Sequence, residues 1–225
     1  DRVFETMQEV GMVLQMHGEV TDPDIDIFDR EAVFIERHLV RIREKFPALK
    51  IVLEHITTEQ GASFVRHSSG PLAASITPQH LLYNRNDMLA GGIRPHLFCL
   101  PILKRNRHQN ALIEVATSGD HRFFLGTDSA PHPRHAKESA CGCAGCYSHH
   151  AAIELYAEVF DRAAAMHHLE AFASRHGADF YGLAYNRQTI TLTRRPWMVP
   201  EQIDFDGSEL IPLAAGQSLN WRLQN

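Results

Sequence analysis

Four short apolar runs organise the first half of the chain: Met12-Val13-Leu14-Gln15-Met16, Ile51-Val52-Leu53, Leu72-Ala73-Ala74-Ser75-Ile76 and Phe123-Phe124-Leu125. Each breaks at once into polar residues, respectively His17-Gly18-Glu19, Glu54-His55, Thr77-Pro78-Gln79-His80 and Gly126-Thr127-Asp128. Short apolar runs stopped by turn-forming or polar residues predict buried strands. Helical spacing fills the gaps between them. Residues 1–11 form an amphipathic pattern closed by Gly11, and Asp29 caps a pattern carrying Val33, Phe34, Leu39, Ile42 and Phe46. Thr57 or Thr58 opens a short helix reaching Val65, and a further helix runs from Arg107 to Thr117 with Ala111, Leu112 and Val115 on one side. Residues 81–104, with Asn84, Asn86, Gly91, Gly92, Pro95 and Pro101, predict a long irregular loop. Farther on, helices are expected over about 151–166 and 168–176. An alternating strand is expected over 188–194, and a hairpin or short strand around Gly216.

Strands alternating with helices predict parallel βα units and an α/β fold. No glycine-rich phosphate-binding fingerprint follows any strand, and polar side chains recur at strand after strand. That favours a TIM-type barrel over a doubly wound sheet, because such barrels carry their chemistry at the C-terminal ends of the strands.

The 225 residues are 44% hydrophobic and 22% charged, ordinary for a globular protein. A net charge of -5 argues against a nucleic-acid partner, which calls for a basic face. No apolar run approaches the roughly 20 residues of a membrane span, and no signal peptide opens the chain; the expected compartment is the cytoplasm. The 15 histidines change the picture by raising the prior for metal binding, although His38, His67 and His108 sit in polar surroundings and read as surface residues. Of the four cysteines, Cys141, Cys143 and Cys146 cluster, with Cys99 apart. The favoured reading is that the cluster's glycines let the main chain bend while its thiols pack. A separate zinc or iron–sulfur site would need a fourth ligand that the sequence does not supply.

A carboxylate delivered to a buried strand end costs several kcal/mol unless a metal, a partner charge or hydrogen bonds compensate it. A lone strand-end histidine is more often a packed or loop residue than a ligand. His17, His55, His80 and Asp128 together tilt the balance, since in a barrel such strand ends converge on one mouth. Two neutral imidazoles and a carboxylate suit Zn²⁺ or a similar borderline metal.

The stretches Met16-His17-Gly18-Glu19, Leu53-Glu54-His55-Ile56-Thr57-Thr58, Thr77-Pro78-Gln79-His80, Gly92-Ile93-Arg94-Pro95-His96, Pro101-Ile102-Leu103-Lys104-Arg105, Gly126-Thr127-Asp128-Ser129-Ala130-Pro131-His132 and Cys141-Gly142-Cys143-Ala144-Gly145-Cys146 resemble, in order and over essentially the whole chain, dihydroorotases of the shorter bacterial type in the amidohydrolase superfamily. The resemblance implies a (β/α)8 barrel with two zinc ions per intact subunit, bridged by a carbamylated lysine and a hydroxide. It implies that His17 and His55 ligate one zinc and that Asp128 ligates the other and moves the proton. It also implies that Leu100, His132 and Ala144 bind the substrate, the first and last through their backbones. The reaction implied is the reversible interconversion of N-carbamoyl-L-aspartate and (S)-dihydroorotate in pyrimidine biosynthesis, carried out by a homodimer.

The His-x-His pair and the bridging lysine of that family have no counterpart here. Lys50 begins its strand, at the wrong end, and Lys104 follows a proline in a loop. A full barrel takes about 250 residues, so the chain, which opens on Asp1 without an initiator Met, reads as the C-terminal part of one barrel with tail elements at about 188–225 and the N-terminal strands missing. Two rival readings stay open: another cyclic amidohydrolase or deaminase with the same metal set, and a noncatalytic barrel serving as a structural partner. Residues 1–225 alone are expected to be inactive and poorly soluble, because an incomplete barrel leaves strand edges unpaired. Robust turnover by this polypeptide by itself would refute the truncation.

Overall fold

The computed structural model describes residues 1–224. Strands β1 (Leu14–His17), β2 (Ile51–Glu54), β3 (Leu72–Ile76) and β4 (Phe123–Leu125) form one sheet in sequential order, and every pairing is parallel. A helical crossover makes each parallel step: residues 30–45, then Glu59–His67, then Asn106–Thr117.

Period-two alternation divides the sheet into two faces. Ile51, Leu53, Leu72, Ala74, Ile76 and Phe123 face the helices, where they pack with Leu39, Val65, Leu112, Phe160 and Phe172 in the main core. On the opposite face Val52, Ala73 and Phe124 form a small apolar floor covered by Phe180 and Tyr181. One pleat farther on, the same face carries Glu54, Ser75 and Gly126, so it turns from apolar to polar at the C-terminal ends of its strands. Tyr156, fully buried on the Ala152–Arg162 helix, donates its hydroxyl to the Ile76 carbonyl at 2.7 Å and anchors that helix to the same strand ends.

The first 80 residues follow the expected elements closely. Gly11 closes the Arg2–Val10 helix in the left-handed conformation, and Thr58 caps the Glu59–His67 helix by accepting from Gly61 N at 3.0 Å. Residues 81–104 are less irregular than expected. They hold the end of a Pro78–Leu82 helix, an Arg85–Leu89 helix opened by an Asn84/Asp87 capping box, and a turn of 3-10 helix at Pro95–Leu97. The expected strand at 188–194 lies instead at β5 (Leu192–Met198), where it pairs antiparallel with β8 (Ser218–Leu223). A hairpin of β6 (Ile203–Phe205) and β7 (Ser208–Leu210) went unforeseen, although its Asp206-Gly207 turn, with both φ values positive, carries the dipeptide that favours such turns. Among the described residues no helix is long and apolar enough to cross a membrane.

Two histidines depart from expectation. His108 is buried, and its Nδ1 accepts the Glu59 N–H at 3.1 Å, which satisfies a free amide at the start of the neighbouring helix. His80, counted with the strand-end ligands, is buried inside the Pro78–Leu82 helix. Its Nε2 lies 2.8 Å from the Pro101 carbonyl, which can only accept, so Nε2 carries the proton and Nδ1 accepts the Thr77 hydroxyl at 2.6 Å. His80 therefore splints two segments and leaves no lone pair for a metal.

Burial, reinforced by the Lys104 charge and only partly offset by the Pro101 hydrogen bond, pushes the His80 pKa down to about 3. The unfolded chain, with His80 near its ordinary 6.5, binds the proton first. The stabilisation is thus whole above pH 6.5 and drains away as pH falls towards 3. Between pH 7 and 4.5 the urea-unfolding stability of the unsubstituted protein should fall by about 2–3 kcal/mol more than that of His80→Gln. Equal losses in the two proteins would refute this assignment.

Candidate active site

At the C-terminal ends of the parallel strands, Gln15, Met16, His17, Glu54, His55, Ser75, Gly126 and Asp128 line a cleft of about 310 Å³. His17 ends β1 and His55 follows β2. Parallel pairing of His17 with Glu54 sets the two imidazoles side by side, with Nδ1 of His17 3.2 Å from Nε2 of His55. Asp128 stands three residues beyond β4, close enough for its charge to act on His55. Burial pushes the His55 pKa down; Asp128 opposes that shift and His17 adds to it.

His17 and His55 are held by neighbours that the sequence did not advertise. His55 and Asp128 both have positive φ, 40° and 42°, which for residues with a Cβ costs of order 1–3 kcal/mol each and must be enforced from outside. For His55 the enforcement is visible. Its N–H donates to Ser75 Oγ at 2.8 Å, and Ser75 in turn donates to Glu54. Just beyond it, the buried Glu31 carboxylate accepts from Thr57 N (2.7 Å), Thr57 Oγ1 (2.7 Å), Thr58 N (3.0 Å) and the Thr58 hydroxyl. Gly126 is required on the other side, because a Cβ there would lie 2.6 Å from Ser75 Cβ.

His17 is oriented by Glu19. The carboxylate Oε2 lies 3.2 Å from His17 Nε2 and can only accept, so Nε2 carries the proton and the Nδ1 lone pair faces His55. Burial alone would raise the Glu19 pKa, but the His17 hydrogen bond and the nearby Lys104 charge outweigh it and hold the carboxyl below its usual range. Lys104 is buried, with Nζ 3.5 Å from Glu19 Oε1 and 3.1 Å from the Ile102 carbonyl. Lys50, by contrast, donates to the Phe180 carbonyl, away from the cleft lining.

The arrangement fits a metal in two respects. Two nitrogen ligands of one tetrahedral Zn²⁺, each at about 2.0–2.1 Å, stand about 3.3–3.4 Å apart, close to the spacing of the two imidazole nitrogens. The Glu19 carboxylate on the far nitrogen of His17 is the kind of outer contact that fixes a ligating imidazole. His55 Nδ1 is buried without a hydrogen-bond partner, so proton exchange between its nitrogens carries no compensating contact. Among the described residues no three His, Cys, Asp or Glu side chains gather closely enough to enclose an ion, so this pair supplies only part of a coordination shell.

The expected substrate residues form a second group, outside the cleft lining. His132, four residues beyond Asp128, directs Nε2–H to the Ala144 carbonyl at 3.1 Å. Gly145 N donates to the Phe98 carbonyl at 2.9 Å, which brings the Cys141–Cys146 loop against the segment carrying Leu100. Gly145 is obligatory for a steric reason: φ is 146° and a Cβ would sit 2.5 Å from Ala130 Cβ. Cys99 and Cys146 are buried in a second apolar cluster with Leu103, Leu155 and Leu213, whereas Cys141 is exposed; all four cysteines are free thiols.

No protein-family model matches the chain. Dihydroorotase from Marinobacter nauticus is 61% identical over 222 residues, covering 98% of this chain and 65% of that protein. Over nearly its whole length the chain is similar to dihydroorotases. Its structure superposes on the crystal structure of dihydroorotase from Campylobacter jejuni with a TM-score of 0.89 at 32% identity, over 99% of this chain and 64% of that one. Against dihydroorotase from Saccharomyces cerevisiae, solved in complex with 5-fluoroorotic acid, the TM-score is 0.88 at 33% identity, over 99% of this chain and 65% of that one. The chain thus spans about 65% of the length of the curated relatives it matches. The four-stranded parallel sheet is part of the TIM-type amidohydrolase barrel that dihydroorotases share with hydantoinases.

Glu19 and Glu31 escaped the sequence reading, and Lys104, read there as a loop residue, is the buried partner of Glu19. Glu19 carried a signal, since a carboxylate two residues after a candidate ligand can reach its far nitrogen; Glu31 carried none, because its partners are remote in sequence. In the full-length protein, His17→Ala and His55→Ala should each lower bound metal by about one equivalent with the fold retained. Unchanged metal content by elemental analysis would reject the pairing.

Proposed function

We propose that this chain belongs to an enzyme that interconverts N-carbamoyl-L-aspartate and (S)-dihydroorotate in de novo UMP synthesis, holding two zinc ions per intact subunit and working as a cytoplasmic homodimer. The observation that carries this reading is the meeting of His17 Nδ1 and His55 Nε2, 3.2 Å apart, in a strand-end cleft that Asp128 also lines. The 61% identity to a dihydroorotase supports the substrate class, as does the 5-fluoroorotic acid bound by the yeast relative. The acidic net charge of -5 supports a small-molecule rather than a nucleic-acid partner.

His17 and His55 hold one metal together, and Asp128 contributes to the second. Metal bound here would polarise the ring amide carbonyl and lower the pKa of the attacking water towards neutrality. Asp128 accepts the proton lost in the attack and delivers it to the departing amide nitrogen; in reverse, it takes the proton from the carbamoyl nitrogen as the ring closes. Its exposed position and left-handed backbone, three residues past the strand, put the carboxylate at the cleft rather than inside the sheet.

His132 and the Ala144 backbone bind the substrate carboxylate, and the Leu100 backbone meets the ring. Nε2–H of His132 is engaged by the Ala144 carbonyl, which leaves Nδ1 as the ring nitrogen open to the substrate. Ala144 is held in place by the same contact, so His132 both binds and aligns.

The roles of Asp128 and His132 separate experimentally. Asp128→Asn keeps an oxygen at the cleft but cannot accept the proton, so turnover in both directions should fall by about 10²–10⁴-fold while binding changes less. His132→Ala removes a charge-assisted hydrogen bond worth roughly 1.5–3 kcal/mol, so its penalty should appear with dihydroorotate and shrink for a ring analogue lacking the carboxylate. Steady-state kinetics on both compounds decide the matter, and equal losses for His132→Ala would remove the carboxylate role.

A further inference from the structure

Lys137 ends the short Arg134–Lys137 helix and is 3% exposed, yet none of the chemistry above uses it. Its ammonium donates to three main-chain carbonyls: Phe98 at 2.7 Å, Cys143 at 2.7 Å and Gly145 at 2.8 Å. An ammonium has three protons, so these contacts satisfy all of them. Among the described residues no carboxylate forms an ion pair with it, and burial pulls its pKa down. A buried cation satisfied only by carbonyls is costly to build, and its removal would leave the Cys143 and Gly145 carbonyls without their partner, while the Phe98 carbonyl keeps the Gly145 N–H.

The three acceptors surround the proposed substrate contacts. Phe98 lies two residues before Leu100, and Cys143 and Gly145 flank Ala144. The peptide between Cys143 and Ala144 is planar, and in the trans form its C=O and N–H point in opposite directions. Drawing the Cys143 carbonyl onto Lys137 therefore turns the Ala144 N–H away from Lys137. That N–H has no acceptor among the described main-chain contacts, so it is free to donate elsewhere. The Ala144 carbonyl is meanwhile taken by His132.

Resting on the function proposed above, we infer that Lys137 is a positioning residue for the substrate carboxylate: its ammonium clamps the Leu100 segment to the Cys141–Cys146 loop and aims the Ala144 N–H at the anion. It touches no reacting atom. A small anion held by Ala144 N–H and His132 requires those two donors to keep a fixed separation, and the Lys137 clamp, added to the Gly145 N–H bond to the Phe98 carbonyl, keeps the loop from relaxing. The short helix matters only as the carrier of this side chain.

The test uses the full-length, metal-loaded enzyme, with Lys137→Met and Lys137→Arg beside the unsubstituted protein. Methionine keeps the length and apolar stem and removes all three donors. KM for dihydroorotate should rise by about 10–100-fold with kcat within about 3-fold and metal content unchanged. Affinity for a ring analogue lacking the carboxylate, measured by competition, should stay within about 2-fold of the unsubstituted enzyme. Arginine keeps the charge but spreads its donors over a planar fork, so its KM should fall between the two. A folded Lys137→Met enzyme with unchanged KM, or one weakened equally towards both ligands, would overturn the inference. If Lys137→Met does not fold, Lys137→Arg is read by the same two criteria. No turnover of dihydroorotate by the unsubstituted enzyme would instead overturn the functional reading itself, and the two failures are thereby told apart.

Discussion

Parallel pairing without a slip is the constraint on which the rest depends. Leu14 lies opposite Ile51, Ile51 opposite Leu72, and Ala74 opposite Phe123, so the four strands run side by side with their C-terminal ends on one edge. A shift of one residue in any strand would send its polar terminal side chain to the helix-packed face and an apolar one into the cleft. The fully buried Ile51, Leu53, Ile76 and Phe123 oppose that shift, because each would exchange a packed environment for a polar one. Site geometry is in this sense a by-product of core packing: imidazoles from separate strands meet because the aliphatic residues beneath them cannot move.

Above that floor the organisation changes from apolar packing to buried charge. Glu31, the Glu19–Lys104 pair and Lys137 are each withdrawn from water and each hold main chain or a ligand side chain in place. None of these charges is an economical way to stabilise a fold, since desolvation offsets most of the attraction gained. What they supply is direction. A carboxylate with four donors, or an ammonium with three acceptors, fixes orientation in a way that dispersion contacts cannot.

Much of this was legible in the sequence, for a definite physical reason. The strands of a parallel sheet are apolar on both faces, so Ile51-Val52-Leu53 or Leu72-Ala73-Ala74 stand out as continuous runs, and the polar break after each marks the functional end. The strand-end positions of His17, His55 and Asp128 could be read directly, and the three line one cleft. His80 was misread because the same position also suits a helix N-terminal partner: Thr77 and the distant Pro101 carbonyl satisfy both ring nitrogens, and no local pattern announces Pro101. The tail was misplaced by a few residues because β5 and β8 form an exposed two-stranded ribbon whose alternation is weak, with the register shift between Arg194 and Trp197 obscuring it further.

Glu31 belongs to the crossover that leads into β2, whereas the threonines it grips follow that strand. Helix docking and the orientation of His55 are therefore one variable rather than two. A substitution on the buried side of residues 30–45 would be felt first as a tilt of the His55 imidazole, before any loss of secondary structure, and a metal seated on that imidazole would in turn hold the helix against the sheet. An ion settling on His55 would by the same contacts consolidate this part of the barrel.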